Sequence, residues 1–198
     1  MSEGATVFAA AGLSARELPE SDVFRLQGFF HANPEYFLAT AGEPADPFEA
    51  QREYDEYPPA HLGWTRRFLL GLYRDDGELD GVAIVVKDLG GEAVWHIALF
   101  IVATALHGRG VAGPVHGALE AWAKAGGAEW MRLGVVAGNA RAERFWGKCG
   151  YAEVRTREGV PAGSRANTVR VMVKPLGDGT LEAYLERCPR DRPGSALP

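Results

Sequence analysis

The chain has 198 residues, 46% of them hydrophobic and 24% charged, with a formal net charge of −5 at pH 7. That size suits one domain with or without a tail, and the acidic balance argues against a nucleic-acid partner, which calls for a basic stripe. Two cysteines, Cys149 and Cys188, make neither a disulfide framework nor a metal cluster, so no metal and a reducing compartment are expected. With no leader pattern and no apolar run near the roughly 20 residues of a membrane span, the expectation is a cytoplasmic protein with no membrane partner.

Ser21 to His31 places Val23, Phe24, Leu26 and Phe30 at helical spacing, with Ser21 or Asp22 as cap and Asn33-Pro34 as stop. A second helix is expected from Asp46 or Pro47 to Glu56. Arg67 to Tyr73 and Gly81 to Leu89 are rich in Val, Ile and Leu and flank the turn signal Asp75-Asp76-Gly77, so they read as an antiparallel hairpin. Gly90-Gly91 leads into a third strand of the meander, Val94 to Val102. The period then changes: Val111, Val115, Leu119 and Trp122 recur at helical spacing up to Gly126-Gly127. Trp130 to Val136 is a strand expected to lie parallel to Val94–Val102, because a helix is the usual crossover. Asn139 caps a further helix that Gly150 ends. Tyr151 to Thr156 and Thr168 to Lys174 are strands around a Gly/Pro/Ser-containing loop. The expected fold is therefore α/β, with a mixed, mostly antiparallel central sheet of about seven strands flanked by about four helices. One domain covers residues 1–176. A tail, 177–198, holds a short helix before Cys188 and a disordered end from Pro189.

Between the third strand and the next helix stands Leu106-His107-Gly108-Arg109-Gly110-Val111-Ala112-Gly113. Three glycines strip side chains from a turn that runs into a helix N-terminus, a place built for a pyrophosphate. Gly108-x-Gly110-x-x-Gly113 matches the dinucleotide fingerprint. Its context does not: it follows an antiparallel meander, only one crossover is present, and no ribose-binding acid ends the next strand.

The same residues read as His107-x-x-Gly110-x-Ala112, and together with Asn139-x-x-Ala142-x-x-x-Trp146-x-x-x-Gly150-Tyr151 they resemble the two motifs of the GNAT superfamily of N-acetyltransferases. His107 stands for the usual Gln or Arg, Trp146 for Tyr and Tyr151 for Phe. The resemblance spans roughly Ala15 to Leu176. It implies acetyl-CoA as donor, with its pyrophosphate on the backbone of Gly108 to Gly113, Val111 and Ala112 included, and with His107 and Arg109 beside it. The strands Val94–Val102 and Trp130–Val136 splay apart, and the pantetheine arm pairs with backbone near Ile101 and Val102. Asn139 caps its helix and also meets the arm. Phe145 lines the arm or packs in the helix core. A small-molecule or peptide amine attacks the thioester directly in a ternary complex, so the protein's task is to position two reactants and take up a proton. A homodimer is common in such proteins.

The acid–base residues are less regular. The family's usual glutamate falls on Gly134. An alternative glutamate position falls on His96, whose pKa suits base work near neutrality and whose other reading is a satisfied core histidine. By alternation His96 shares a face with Val94, Ala98, Phe100 and Val102. Trp146 replaces the tyrosine that protonates the leaving thiolate; an indole donates a hydrogen bond but not its proton. Acceptor contacts are expected from Phe30, Asn33, Glu35 and Tyr36, in a short aromatic and polar stretch. Seven acids against Arg52 alone between His31 and Ala60 suggest an acidic rim, and Arg155, Arg157, Arg165 and Arg170 an opposing basic cluster that meets an acceptor carboxylate or nothing. Two rivals accompany the N-acetyltransferase reading: a GNAT-like module that holds acyl-CoA without efficient transfer, and an NAD(P)-dependent oxidoreductase.

Overall fold

A computed structural model describes residues 4–195 and 197. Eight strands form one sheet in the order β1-β2-β3-β4-β5-β6-β8-β7, with six α-helices around it. The N-terminal hairpin, β1 (Thr6–Ala10) and β2 (Leu13–Glu17), is absent from the order read from the sequence. Its turn is Ala11-Gly12, both at positive φ, the backbone that a two-residue hairpin needs. Nothing in an Ala-rich segment announces it. β3 (Arg66–Tyr73), β4 (Leu79–Lys87) and β5 (Val94–Val102) continue the meander as expected.

Helix α1 (Val23–Ala32) follows a 3-10 turn, and neither Ser21 nor Asp22 caps it through a side chain. Asp22 instead accepts from Tyr73 Oη at 2.9 Å. Two short helices follow, α2 (Glu35–Thr40), where a loop was expected, and α3 (Glu49–Asp55). All three cover one sheet face, burying Leu26, Phe29, Phe30, Phe37 and Ala50 against Leu69, Ile84, Leu99 and Ile101. Helix α4 (Ala112–Ala125) crosses to β6 (Trp130–Val136) and packs on the other face with α5 (Ala140–Lys148). That core includes Leu119, Trp146, Met131, Leu133, Trp95 and Ile97.

Among the described residues β5 and β6 are the one parallel pair, in register only from Val94–Ile97 against Trp130–Leu133. At the next residue β5 bulges: Ile84 pairs with Leu99 but Val85 with Ile97, which leaves Ala98 unmatched. The bulge inverts the alternation. His96 therefore shares its face with Val94, Leu99 and Ile101, not with Phe100 and Val102, because a single extra residue flips every side chain after it.

β7 (Ala152–Ala162) and β8 (Arg165–Pro175) run well past their expected ends. The Gly/Pro/Ser stretch is strand up to a two-residue turn, and Pro161 is tolerated because β7 is the sheet edge. The hairpin tip rests on α2, where Asn167 Nδ2 donates to Thr40 O at 2.7 Å.

Helix α6 (Leu181–Arg187) lies where the short tail helix was expected. The end beyond it is anchored rather than loose. Asp191, fully buried, accepts from Arg132 Nε and Nη2 at 2.7 and 3.0 Å and from Tyr184 Oη at 2.5 Å. Composition alone suggested disorder; a charge inside the apolar strand Trp130–Val136 was the sign that a counter-ion would be brought to it.

Candidate functional site

Where β5 leaves β6 a cavity of about 690 Å³ opens, lined by the end of β5, the glycine turn, α2 and helix α5. Gly108 and Gly110 hold φ of +75° and +76°, conformations that side chains resist. A Cβ on either would meet nothing within 4 Å, so packing is not the reason for glycine here; the backbone conformation is, and it leaves the turn open. Helix α4 starts at Ala112 with no side-chain cap. In its first turn the Ala112 and Gly113 amides have no intrahelical acceptor, while Pro114 has no N–H and Val115 N donates to Val111 O at 3.2 Å, so two backbone donors lie at the opening, at the positive end of the helix dipole.

Opposite the turn, α5 is aligned by Asn139, whose Oδ1 accepts from Ala142 N at 3.1 Å, and closed by Gly150 at φ +90°. The helix presents Arg141, Arg144 and Lys148 to the cavity, and no described carboxylate lies in salt-bridge range of any of them. Between turn and helix the wall is aromatic. Phe100 and Phe145 stack 6.1 Å apart, and Trp146 meets Phe145 edge-on at 4.8 Å. Behind this wall the buried His116 bonds to Tyr151 Oη through Nε2 at 3.1 Å. Burial and the Lys174 charge lower its pKa to about 4. That hydroxyl explains a tyrosine where the resemblance has phenylalanine.

Of the residues singled out from the sequence, Glu35, Tyr36, Ile101, Val102, His107, Gly108, Gly110, Val111, Ala112, Gly113, Asn139, Phe145 and Trp146 line this cavity. Four do not. Phe30 is fully buried in the helix core. Asn33 is a strut: Nδ2 donates to Phe29 O at 2.8 Å and Oδ1 accepts from Thr104 N at 2.7 Å. Arg109 is exposed and does not line the cavity. His96 lies on the opposite side of the bulge, its Nδ1 3.2 Å from Arg132 Nη1. A guanidinium only donates, so Nδ1 is the acceptor and the proton sits on Nε2. Burial and the Arg132 charge push its pKa down to about 3. His96 is thus a fixed donor, and the base role expected for it has no geometric support. A side chain at Gly134 would be tight, its Cβ meeting Val169 Cγ1 at 3.0 Å.

Two lining residues are already engaged. Glu35 accepts from Thr104 Oγ1 at 2.6 Å, and that bond lowers its pKa. His107 turns back to donate from Nε2 to Val102 O at 2.8 Å; burial, then Arg141, lowers its pKa. It pins the turn to the strand end as a neutral ring. The α5 cations were missed from the sequence, although their spacing of three and four residues along an amphipathic helix was there to find.

Of the acidic rim, Glu53 stands apart. Burial pushes its carboxyl up to about 7, Arg67 pulls it down, and Glu49 and Glu56 push it further up. A carboxyl raised in the native state adds stability below its ordinary 4.5 and loses it as pH rises through about 7. The Glu53→Gln variant should therefore unfold at higher urea than the parent at pH 8, by about 2 kcal/mol, and show no gain at pH 4. A gain independent of pH would contradict this.

A model of the Acetyltransferase (GNAT) family matches residues 26–151 of the chain. No curated protein matches it. Among solved structures, an acetyltransferase from Thermus thermophilus superposes with a TM-score of 0.65 at 21% identity, covering 87% of this chain and 100% of its own. A spermidine N-acetyltransferase from Vibrio cholerae, solved with CoA and spermine, gives 0.64 at 15% identity, covering 83% and 96%. A GCN5-related N-acetyltransferase from Kribbella flavida gives 0.61 at 23% identity, covering 83% and 98%. At these identities the superpositions speak for the fold.

Proposed function

The chain belongs to the acetyltransferase (GNAT) family, and from that premise we propose that it moves an acetyl group from acetyl-CoA to a primary amine, small molecule or peptide, by direct attack in a ternary complex. The observation that carries this reading is the cavity at the β5–β6 splay, with uncommitted amides at one end and, along one wall, three cations without a described carboxylate partner. Apart from Arg109 N, which donates to Leu106 O at 3.3 Å, the Gly108–Gly113 amides suit the pyrophosphate of coenzyme A, and Arg141, Arg144 and Lys148 suit its remaining phosphate charge. Phe100, Phe145 and Trp146 offer an apolar wall to the pantetheine arm. The backbone of β5 from Ala98 to Ile101 has no β6 partner and can pair with the arm's amides, while Val102 O is taken by His107. Bound acetyl-CoA supplies an activated thioester; the chain's part is to orient it, exclude water with the aromatic wall and offer the Trp146 indole as a hydrogen-bond donor.

Proton removal follows from what the cavity holds. Glu35 and His107 are both tied up and held in their charged and neutral states, and neither is poised as a base. We place the proton loss in solution: the amine enters already neutral. The logarithm of kcat/KM should then rise with pH up to the acceptor's own pKa, and the breakpoint should move when a more basic amine is used. A breakpoint common to all amines would reveal a base on the protein.

Calorimetric titration tests the donor. Acetyl-CoA should bind and NADH should not; tight NADH binding would restore the oxidoreductase reading of the glycine turn.

A further inference from the structure

Four guanidinium groups gather on the sheet face that also carries Ile101. Arg132 stands beside His96 across the β5–β6 pair. Arg155 and Arg157 reach the same face from β7, through the cross-strand rows that join them by way of β8 to Gly134 and Val136. Arg190 arrives from the tail, its stem crossing the β4–β5 turn, with Cδ 3.1 Å from where a Cβ on Gly90 would stand. Asp191 is the carboxylate among them, and Arg132 already holds it in two hydrogen bonds.

The remaining cations make no close ion pair among the described residues, and Asp191 offsets Arg157 and Arg190 only from a distance. Arg155 donates to Arg190 O and Ser195 O, and Arg157 donates to Leu197 O at 3.0 Å. Arg190 Nε is buried with no acceptor. No described carboxylate stands in salt-bridge range of Arg155, Arg157 or Arg190. Burial and the neighbouring arginines depress the pKa of both Arg157 and Arg190. Gathering like charges in a half-buried place is costly unless something negative joins them. His96 adds to the donors, because its proton is fixed on Nε2. Of the basic cluster expected from the sequence, Arg165 is spent on Ala39 O and Arg170 on Glu143 and Glu153. Arg157 remains, and the fold adds three partners the sequence separates widely.

We propose that His96, Arg132, Arg157 and Arg190 form a binding site for an oxyanion, carboxylate or phosphate, carried by the acceptor amine. That the oxyanion belongs to the acceptor rests on the acyl-transfer reading; the site itself does not. Five residues of strand separate His96 from Ile101, about 16 Å at the usual rise, and arginine side chains shorten the gap. The acceptor is therefore extended, with its amine and its oxyanion at opposite ends; a tripeptide of at most about 10 Å is the right scale of probe.

Two measurements test this. The first is binding of inorganic phosphate at constant ionic strength, with coenzyme A saturating so that the glycine turn is filled. Phosphate should raise the unfolding midpoint of the parent, and in the Arg157→Gln/Arg190→Gln variant its affinity should fall about tenfold or more. The Arg157→Lys/Arg190→Lys variant should recover part of the effect, which separates lost charge from damaged folding. The second compares acetylation of a tripeptide and of its C-terminal amide. The parent should favour the acid about tenfold in kcat/KM, through KM, and the Gln variant should treat both alike. Equal phosphate affinity in parent and Gln variant, or equal use of acid and amide by the parent, overturns the proposal even if other amines are acetylated. If no amine is acetylated but the phosphate result holds, the oxyanion site stands and the acyl-transfer reading falls.

Discussion

In the Gly110→Val variant, affinity for acetyl-CoA should fall about a hundredfold while the unfolding midpoint changes little. Gly110 sits at φ +76° with open space where a side chain would go. Valine is among the residues least able to hold that backbone, and strain of this kind costs about 1–3 kcal/mol. With no neighbour to press against, the turn relieves the strain by rotating its peptides, which a solvent-facing turn does at little cost to stability. The same rotation turns the amides away from the phosphate, and the valine side chain fills the approach. A hundredfold is about 2.7 kcal/mol, the size of one or two charge-assisted hydrogen bonds. Calorimetry and thermal unfolding of one preparation check both halves. Arg109→Ala, next in sequence but outside the cavity, is the control and should weaken binding less than about threefold. A large loss of stability with unchanged affinity would place the glycine's importance in folding.

The second large effect is on stability. Asp191→Ala should lower the unfolding free energy by about 3–5 kcal/mol, because it strands Arg132, buried in β6, without its counter-charge. For a chain of this length that is about 10 °C in midpoint. Arg132→Leu combined with Asp191→Leu should recover most of it, since removing both charges leaves none unpaired. Burial alone would raise the Asp191 carboxyl; the hydrogen bonds and charge of Arg132 outweigh it and hold the pKa at about 2. A depressed carboxyl contributes its stability above the ordinary value of 3.8 and loses it as pH falls through about 2. The gap between parent and single variant should therefore be flat from pH 7 to about 4 and shrink below. Urea titrations across that range are the check, and a gap that closes near neutrality would assign the effect to another group.

The residues that were legible from the sequence are those whose role is local. Asn139 caps and Gly150 closes a helix within one turn of chain, and Gly108 and Gly110 announce a turn by lacking side chains. The residues that misled depend on partners far away. One unmatched residue, Ala98, decides the face of His96, and nothing in Val94–Val102 marks a bulge. Arg132 finds Asp191 across 59 positions, so the tail reads as loose until the sheet is assembled. His107 was expected beside the phosphate through its backbone and does line the cavity, but that its ring would be claimed by the carbonyl of Val102 was not legible. The hairpin β1–β2 has a turn that works through backbone φ at Ala11, a residue with no turn preference. For His96, base against core histidine, the partner that bears on the choice is Arg132, 36 positions away in sequence.

A reading of donor and acceptor together stands or falls on transfer. The direct measurement is coenzyme A thiol release from acetyl-CoA with a panel of amines that includes tripeptides, with mass spectrometry of the products and Gly110→Val run alongside. An N-acetylated product should form in step with free thiol, with a sharp loss of both in the variant at limiting acetyl-CoA. Tight acetyl-CoA binding with no product from any amine would contradict it and leave an acyl-CoA-holding module in its place.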